Sequence, residues 1–188
     1  LRDPRAMVKL GEQLDALLTP MARIASGQFG AQGLLARYER QLMFETASLA
    51  DTFVGTKDSG VALVSYAPYF GDGADLTVIL RDKNRRQLEA TLSSVEEGIR
   101  AQYPDLTTSK VQVGRRMVRL VSTPDRRVYQ LRIRVGHELL LSNSVRALTR
   151  VLATIDKHIP SLGQSHEYRY FRALHPFNER REAGYVFI

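Results

Sequence analysis

The runs Arg116-Met-Val-Arg-Leu-Val-Ser122 and Val128-Tyr-Gln-Leu-Arg-Ile-Arg-Val135, separated by Thr123-Pro-Asp-Arg-Arg127, both alternate apolar and polar side chains. A period of two places successive side chains on opposite faces of a strand, so the pair reads as an antiparallel hairpin. With Pro124-Asp125 at the tip, Leu120 faces Tyr129, Val118 faces Leu131 and Arg116 faces Ile133, which makes one largely apolar face. The other face gathers Val121 with Val128, Arg119 with Gln130, Met117 with Arg132, and Arg115 with Arg134. Like charges opposite one another repel. Arg115, Arg119, Arg132 and Arg134 therefore form a candidate interaction face that calls for solvent, for carboxylates, or for an anionic partner.

Strands are expected near Lys110 to Val113 and Glu138 to Leu141, beside this hairpin. Val61 to Phe70 and Ala74 to Leu80 are a further pair of β-type runs, joined by the turn signal Gly71-Asp72-Gly73. Asn84 with Gln87 three residues on opens a helix over 85–102, its apolar side formed by Leu88, Leu92, Val95 and Ile99. Ser142-Asn143-Ser144 supplies the capping oxygen for a second helix over 144–158, carrying Val145, Leu148, Leu152, Ile155 and Ile159. Upstream, Asp3 to Ile24 has helical spacing, and a following helix starts at Leu34 and runs to about Phe53 before Gly55. The step from strand through turn to helix occurs twice, over 76–99 and 139–159, as a duplication or as two unrelated steps. The expected fold is α+β: a mostly antiparallel sheet with the helices 85–102 and 144–158 on one face, split β-α-β-like, preceded by an N-terminal helical pair. Residues 1–55 form the helical segment and 56–188 the sheet domain, together one compact unit.

Composition narrows the chemistry. The 188 residues are 44% hydrophobic and 25% charged, a globular balance that can bury a core without disulfides or a structural metal. With no cysteine, thiol catalysis, cysteine-ligated zinc and iron–sulfur clusters are excluded. No apolar run reaches the roughly 18 residues of a membrane span, and no signal-peptide pattern is present. The net charge of +7 lies wholly in the second half of the chain. Between Arg100 and Arg134 nine basic residues stand against Asp105 and Asp125, which by itself equals the surplus. Three kinds of partner fit such a stretch: a protein offering carboxylates to the arginine forks, a nucleic acid, or an acidic lipid surface. The hairpin within it has one aromatic residue, Tyr129, and it falls on the apolar face, which disfavours base stacking. The alternative is a solvated or structural face on which Glu96, Glu97 or Glu138 pairs with several of these arginines.

Other motifs have plainer explanations. Gly71-Asp72-Gly73-Ala74-Asp75 lacks the closing glutamate of a calcium loop and reads as a turn. Gly27, Gly30 and Gly33 lack both the spacing and the preceding strand of a dinucleotide fingerprint. His166-Glu167 would begin a zinc motif, but Tyr170 stands where the second histidine belongs. His158, at a helix end, suits the negative pole of the helix dipole. No catalytic, cofactor or metal site is assigned, so no cofactor is expected. The segment His166 to Phe177 reads as a short helix pinning Tyr168, Tyr170, Phe171 and Phe177 onto the sheet, with a peptide or ligand groove as the other reading.

Gly60-Val-Ala-Leu-Val-Ser, then Leu139-Leu-Leu-Ser-Asn-Ser before an amphipathic helix, then Tyr170-Phe-Arg with a proline and Gly184-Tyr-Val-Phe-Ile, resembles uncharacterised bacterial envelope proteins. Those are large, often membrane-anchored proteins built from strand-helix repeats, and the resemblance spans most of residues 60–188. It implies a periplasmic or envelope setting, against a cytoplasmic alternative, and transfers no catalytic residue. The start at Leu1 and the apolar end at Ile188 fit a piece of a longer protein. The expected function is a non-enzymatic interaction or scaffold domain whose partner is a protein or another part of the parent chain. An anion-binding module for nucleic acid or acidic lipid is the alternative, and an enzyme of unrecognised type the third.

Overall fold

The computed structural model describes residues 33–53, 60–66, 75–81 and 84–175, together with seven helical positions between Val8 and Thr19. Five helices and six strands follow one another in these segments: α1 (Leu34–Leu42), α2 (Thr46–Phe53), β1 (Gly60–Val64), β2 (Thr77–Arg81), α3 (Arg85–Gln102), β3 (Thr107–Val113), β4 (Arg116–Ser122), β5 (Tyr129–Val135), β6 (Glu138–Ser142), α4 (Val145–Ile155) and α5 (His166–Leu174). The strands form one sheet in the order β1-β2-β6-β5-β4-β3, antiparallel at every pairing. The fold is α+β, with helical residues leading into the sheet. The turn at Gly71-Asp72-Gly73, the helix ends at Asp3 and Ile24, and the apolar run at Gly184 lie outside the described residues.

Local chemistry accounts for the helix boundaries. Asn84 Oδ1 accepts from the Gln87 amide at 3.3 Å while Asn84 Nδ2 donates to Gln87 Oε1 at 2.8 Å, which fixes the start of α3. Ser144 Oγ accepts from the Ala147 amide at 3.2 Å and starts α4. The helix expected to run from Leu34 to Phe53 is instead broken at Met43, whose φ of 49° is left-handed and whose amide turns back to Arg40. Glu39 then accepts from the Thr46 amide at 2.8 Å, so one carboxylate spans the break and serves the first turn of α2. At the other end of α1, Thr19 Oγ1 and Asp15 Oδ1 accept from the amides of Leu34 and Leu35 at 2.9 and 2.7 Å. A Cβ on Gly33 would stand 2.2 Å from Asp15 Oδ2 and 2.9 Å from Oδ1, so any larger residue here must displace the aspartate that caps α1.

The helices are not all on one face. Leu88 and Leu92 of α3 pack with Leu42, Leu49 and Phe53 of the N-terminal pair against Val78, Leu80, Leu139 and Leu141. Leu148, Val151 and Leu152 of α4 pack instead with Val118, Leu131, Leu140 and Ile79. Alternation along β2 and β6 makes these opposite sides of the sheet, so the expectation that 85–102 and 144–158 share a face is corrected. The run Leu139-Leu140-Leu141 is apolar on both sides, the mark of a strand covered twice.

The hairpin at the centre keeps its faces but shifts its register by two. Arg119 pairs with Arg132, Leu120 with Leu131, and Val121 with Gln130. The cause is a wider loop: Thr123 Oγ1 donates to Asp125 at 2.7 Å and accepts from the Val128 amide at 3.1 Å, and Arg126 takes a left-handed φ of 58°. A shift of two leaves every side chain on its expected side.

Candidate interaction surface

The central arginines lie beneath α3 rather than on an open face. Glu89 and Glu96 sit two turns apart on the side of α3 that meets the sheet. Glu96 Oε2 accepts from Arg119 Nη1 at 2.8 Å, and Glu96 Oε1 accepts from Arg119 Nη2 and from Arg100 of its own helix. Glu89 binds Arg132 through one oxygen and Arg134 Nη2 through the other, the latter at 2.8 Å. Only 12% of the Arg132 side chain and 16% of that of Arg134 remain exposed, against 34% for Arg119. Burial pushes the two glutamates up, but the arginine hydrogen bonds and charges outweigh it and hold both below the ordinary carboxylate value.

The four-residue face read from the sequence is therefore divided. Arg119, Arg132 and Arg134 form an internal ion-pair layer with Arg100, four guanidinium groups on two carboxylates. Arg115 lies apart from it, exposed in the two-residue turn between β3 and β4. Of Glu96, Glu97 and Glu138, Glu96 is a partner and Glu138 is taken by Arg81. Glu89 had no sequence signal beyond its place one turn before Leu92 and Ser93. Arg116, on the opposite side of the sheet, binds Asp156 at the end of α4, and that bond lowers the Asp156 carboxyl.

Helix α5 forms where expected, capped by Ser165, but it buries none of its residues, and Tyr170 is 68% exposed. The aromatics are thus not pinned into the core: Tyr168 and Phe171 are half-buried, and Phe177 lies outside the described residues. An open groove of about 700 Å³ runs between α1, α2 and α3. Its Glu39 is occupied by the α2 amide, its Glu45 by Ser48, and its Thr52 and Thr91 hydroxyls by each other at 2.9 Å. Among the described residues no cluster of histidine and acidic side chains could hold a metal ion, and no helix is long and apolar enough to cross a membrane.

What the sequence reading missed is the edge of the sheet. Strand β3 begins at Thr107, three residues earlier than expected, because Thr107-Thr108-Ser109 lacks the apolar alternation that marks a half-buried strand. It closes the strand order on one side, and Thr107, Thr108, Ser109, Lys110 and Gln112 are all exposed. Among the described residues no strand other than β4 pairs with it, so its outer edge is open there. The two-residue turn Gly114-Arg115 makes Val113 and Arg116 a hydrogen-bonded pair. By alternation the backbone N–H and C=O groups of Thr108, Lys110 and Gln112 point away from β4, toward the open side.

No protein-family model, curated protein or solved structure matches the chain.

Proposed function

We propose that this chain is a non-enzymatic interaction domain of a larger bacterial envelope protein, and that it engages a protein partner by strand addition at β3. The supporting observation is the β3 edge, open among the described residues: three outward-facing pairs of backbone groups on a strand held by a seven-residue pairing with β4. Such an edge is a ready template for another strand. The anion-binding alternative drew on an open arginine face, and three of its four residues are engaged by α3. The envelope setting draws on the sequence resemblance alone, and cell fractionation of the natural full-length protein tests it, with recovery in the cytosol as the result against it.

The edge is tested with Lys110→Pro. The Lys110 amide makes no bond to β4, so proline at this position removes an outward donor and leaves the ladder intact. The expected result is a protein retained by the wild-type chain and lost by the variant, with slowed amide exchange at Thr108, Lys110 and Gln112 in the wild-type complex. Equal retention by both chains, or exchange at β3 unchanged on binding, would overturn the reading.

A further inference from the structure

We infer that the segment added at β3 is extended and acidic, with a carboxylate side chain opposite Lys110. This rests on the reading of β3 as a docking edge and adds the chemistry of its occupant. The residues whose backbone groups face outward, Thr108, Lys110 and Gln112, carry their side chains on the α3 side of the sheet, where Lys110 lies across from Arg119. That strip is short of negative charge. Arg119 and Arg100 share the single carboxylate of Glu96, and Arg100 Nη2 also donates to Thr108 Oγ1 at 2.7 Å. Lys110 forms no ion pair among the described residues. Three cations, Lys110, Arg119 and Arg100, thus stand along this side of the edge against one carboxylate. Asp105 and Glu97 are the other acids nearest in sequence, and neither reaches Lys110 within ion-pairing distance. On the opposite face Asp156 is already occupied by Arg116.

Two other occupants fit less well. A second copy of the chain, paired edge to edge about Lys110, would set two ammonium groups opposite each other on proteins that each carry +7. A nucleic acid would find the cations, but its phosphates would also meet the outward carbonyls of Thr108, Lys110 and Gln112, which need donors. A polypeptide strand brings donors and acceptors in alternation and carboxylates on every second side chain. A residue of the added strand directly opposite Lys110 lies about 5 Å away, on the same face.

The test uses two end-capped octapeptides, one alternating glutamate with valine and one alternating lysine with valine, titrated into the isotopically labelled chain. The acidic peptide is expected to bind at least tenfold more tightly and to slow exchange of the Thr108, Lys110 and Gln112 amides. Lys110→Glu is expected to invert the preference, and Lys110→Pro to abolish binding of both peptides with an unchanged melting temperature. Should the proline variant fail to fold, the inversion in Lys110→Glu decides the matter. Equal binding of both peptides at β3 would overturn the acidic class and leave strand addition standing. No protection of β3 by either peptide would remove both, as would stronger protection by oligothymidylate or by self-association of the wild-type chain.

Discussion

Glu89 and Glu96 each hold two arginines, so each is worth more than an ordinary surface carboxylate. Replacing Glu96 by Gln leaves Arg119 and Arg100, whose side chains are each about a third exposed, facing a neutral amide. Removing the carboxylate from two such partly solvated pairs costs about 1 kcal/mol, and a urea midpoint at pH 7 reads it. Acid should do the same to the native chain. Both carboxyls are held below the ordinary value of 4.5 in the folded protein, so the unfolded chain takes up protons first. The stabilisation is complete above pH 4.5 and drains away as the pH falls through the lowered folded values. Glu89→Gln and Glu96→Gln are each expected to flatten that acid limb, and a limb unchanged in both variants would show that other groups cause it. At this level the sequence disclosed what one side chain can settle alone, as with the caps Asn84 and Ser144. It did not disclose the arginine layer, because Glu89 and Arg132 are 43 residues apart and nothing in the spacing of either run points to the other.

Elements were legible where a period and a cap agreed, as in α3, and less so where the chain turns on backbone geometry. Met43 breaks the second helix by taking a left-handed conformation with no glycine to announce it. Lys157 does the same beyond α4, at φ 62°, with its amide donating to Thr154 O at 3.1 Å and that of His158 to Ala153 O at 2.9 Å. Lys157 is exposed, so only the backbone feels its replacement. Lys157→Gly should stabilise the protein by about 1 kcal/mol and raise Tm by roughly 2–4 °C, measured by calorimetry. The register of β4 with β5 escaped for a related reason: the Thr123 hydroxyl builds a loop wider than the Pro124-Asp125 tip suggests. The side on which α4 packs was not written in α4 at all. An amphipathic helix declares that it has an apolar face, not which surface will receive it, and the signal lay instead in the three leucines of β6.

For the molecule as a whole, the surplus charge that drew attention in the sequence is spread over two environments: an internal layer beneath α3, and an exposed rim at Lys110 and Arg115. The α+β class followed from counting alternating runs, whereas the open edge at β3 could not, since an edge is defined by which strands are absent beside it. The order β1-β2-β6-β5-β4-β3 also carries a consequence in time. Strands β3 to β6 are a meander of neighbours, each pairing closed by a short turn, whereas β2 must find β6 across some sixty residues, Thr77 meeting Ser142. Closing that loop costs more chain entropy than any hairpin in the meander. The meander should therefore assemble early, and the β2–β6 seam, with its buried Thr77 and Ser142 hydroxyls 2.9 Å apart, should knit last and part first. Stopped-flow chevrons separate the two: Val121→Ala is expected to slow folding, and Ser142→Ala chiefly to speed unfolding, with the reverse pattern placing the nucleus at the seam. A cell that holds this chain under load would then lose β1 and β2 before the rest, shedding one hairpin while the strands that carry the β3 edge stay folded.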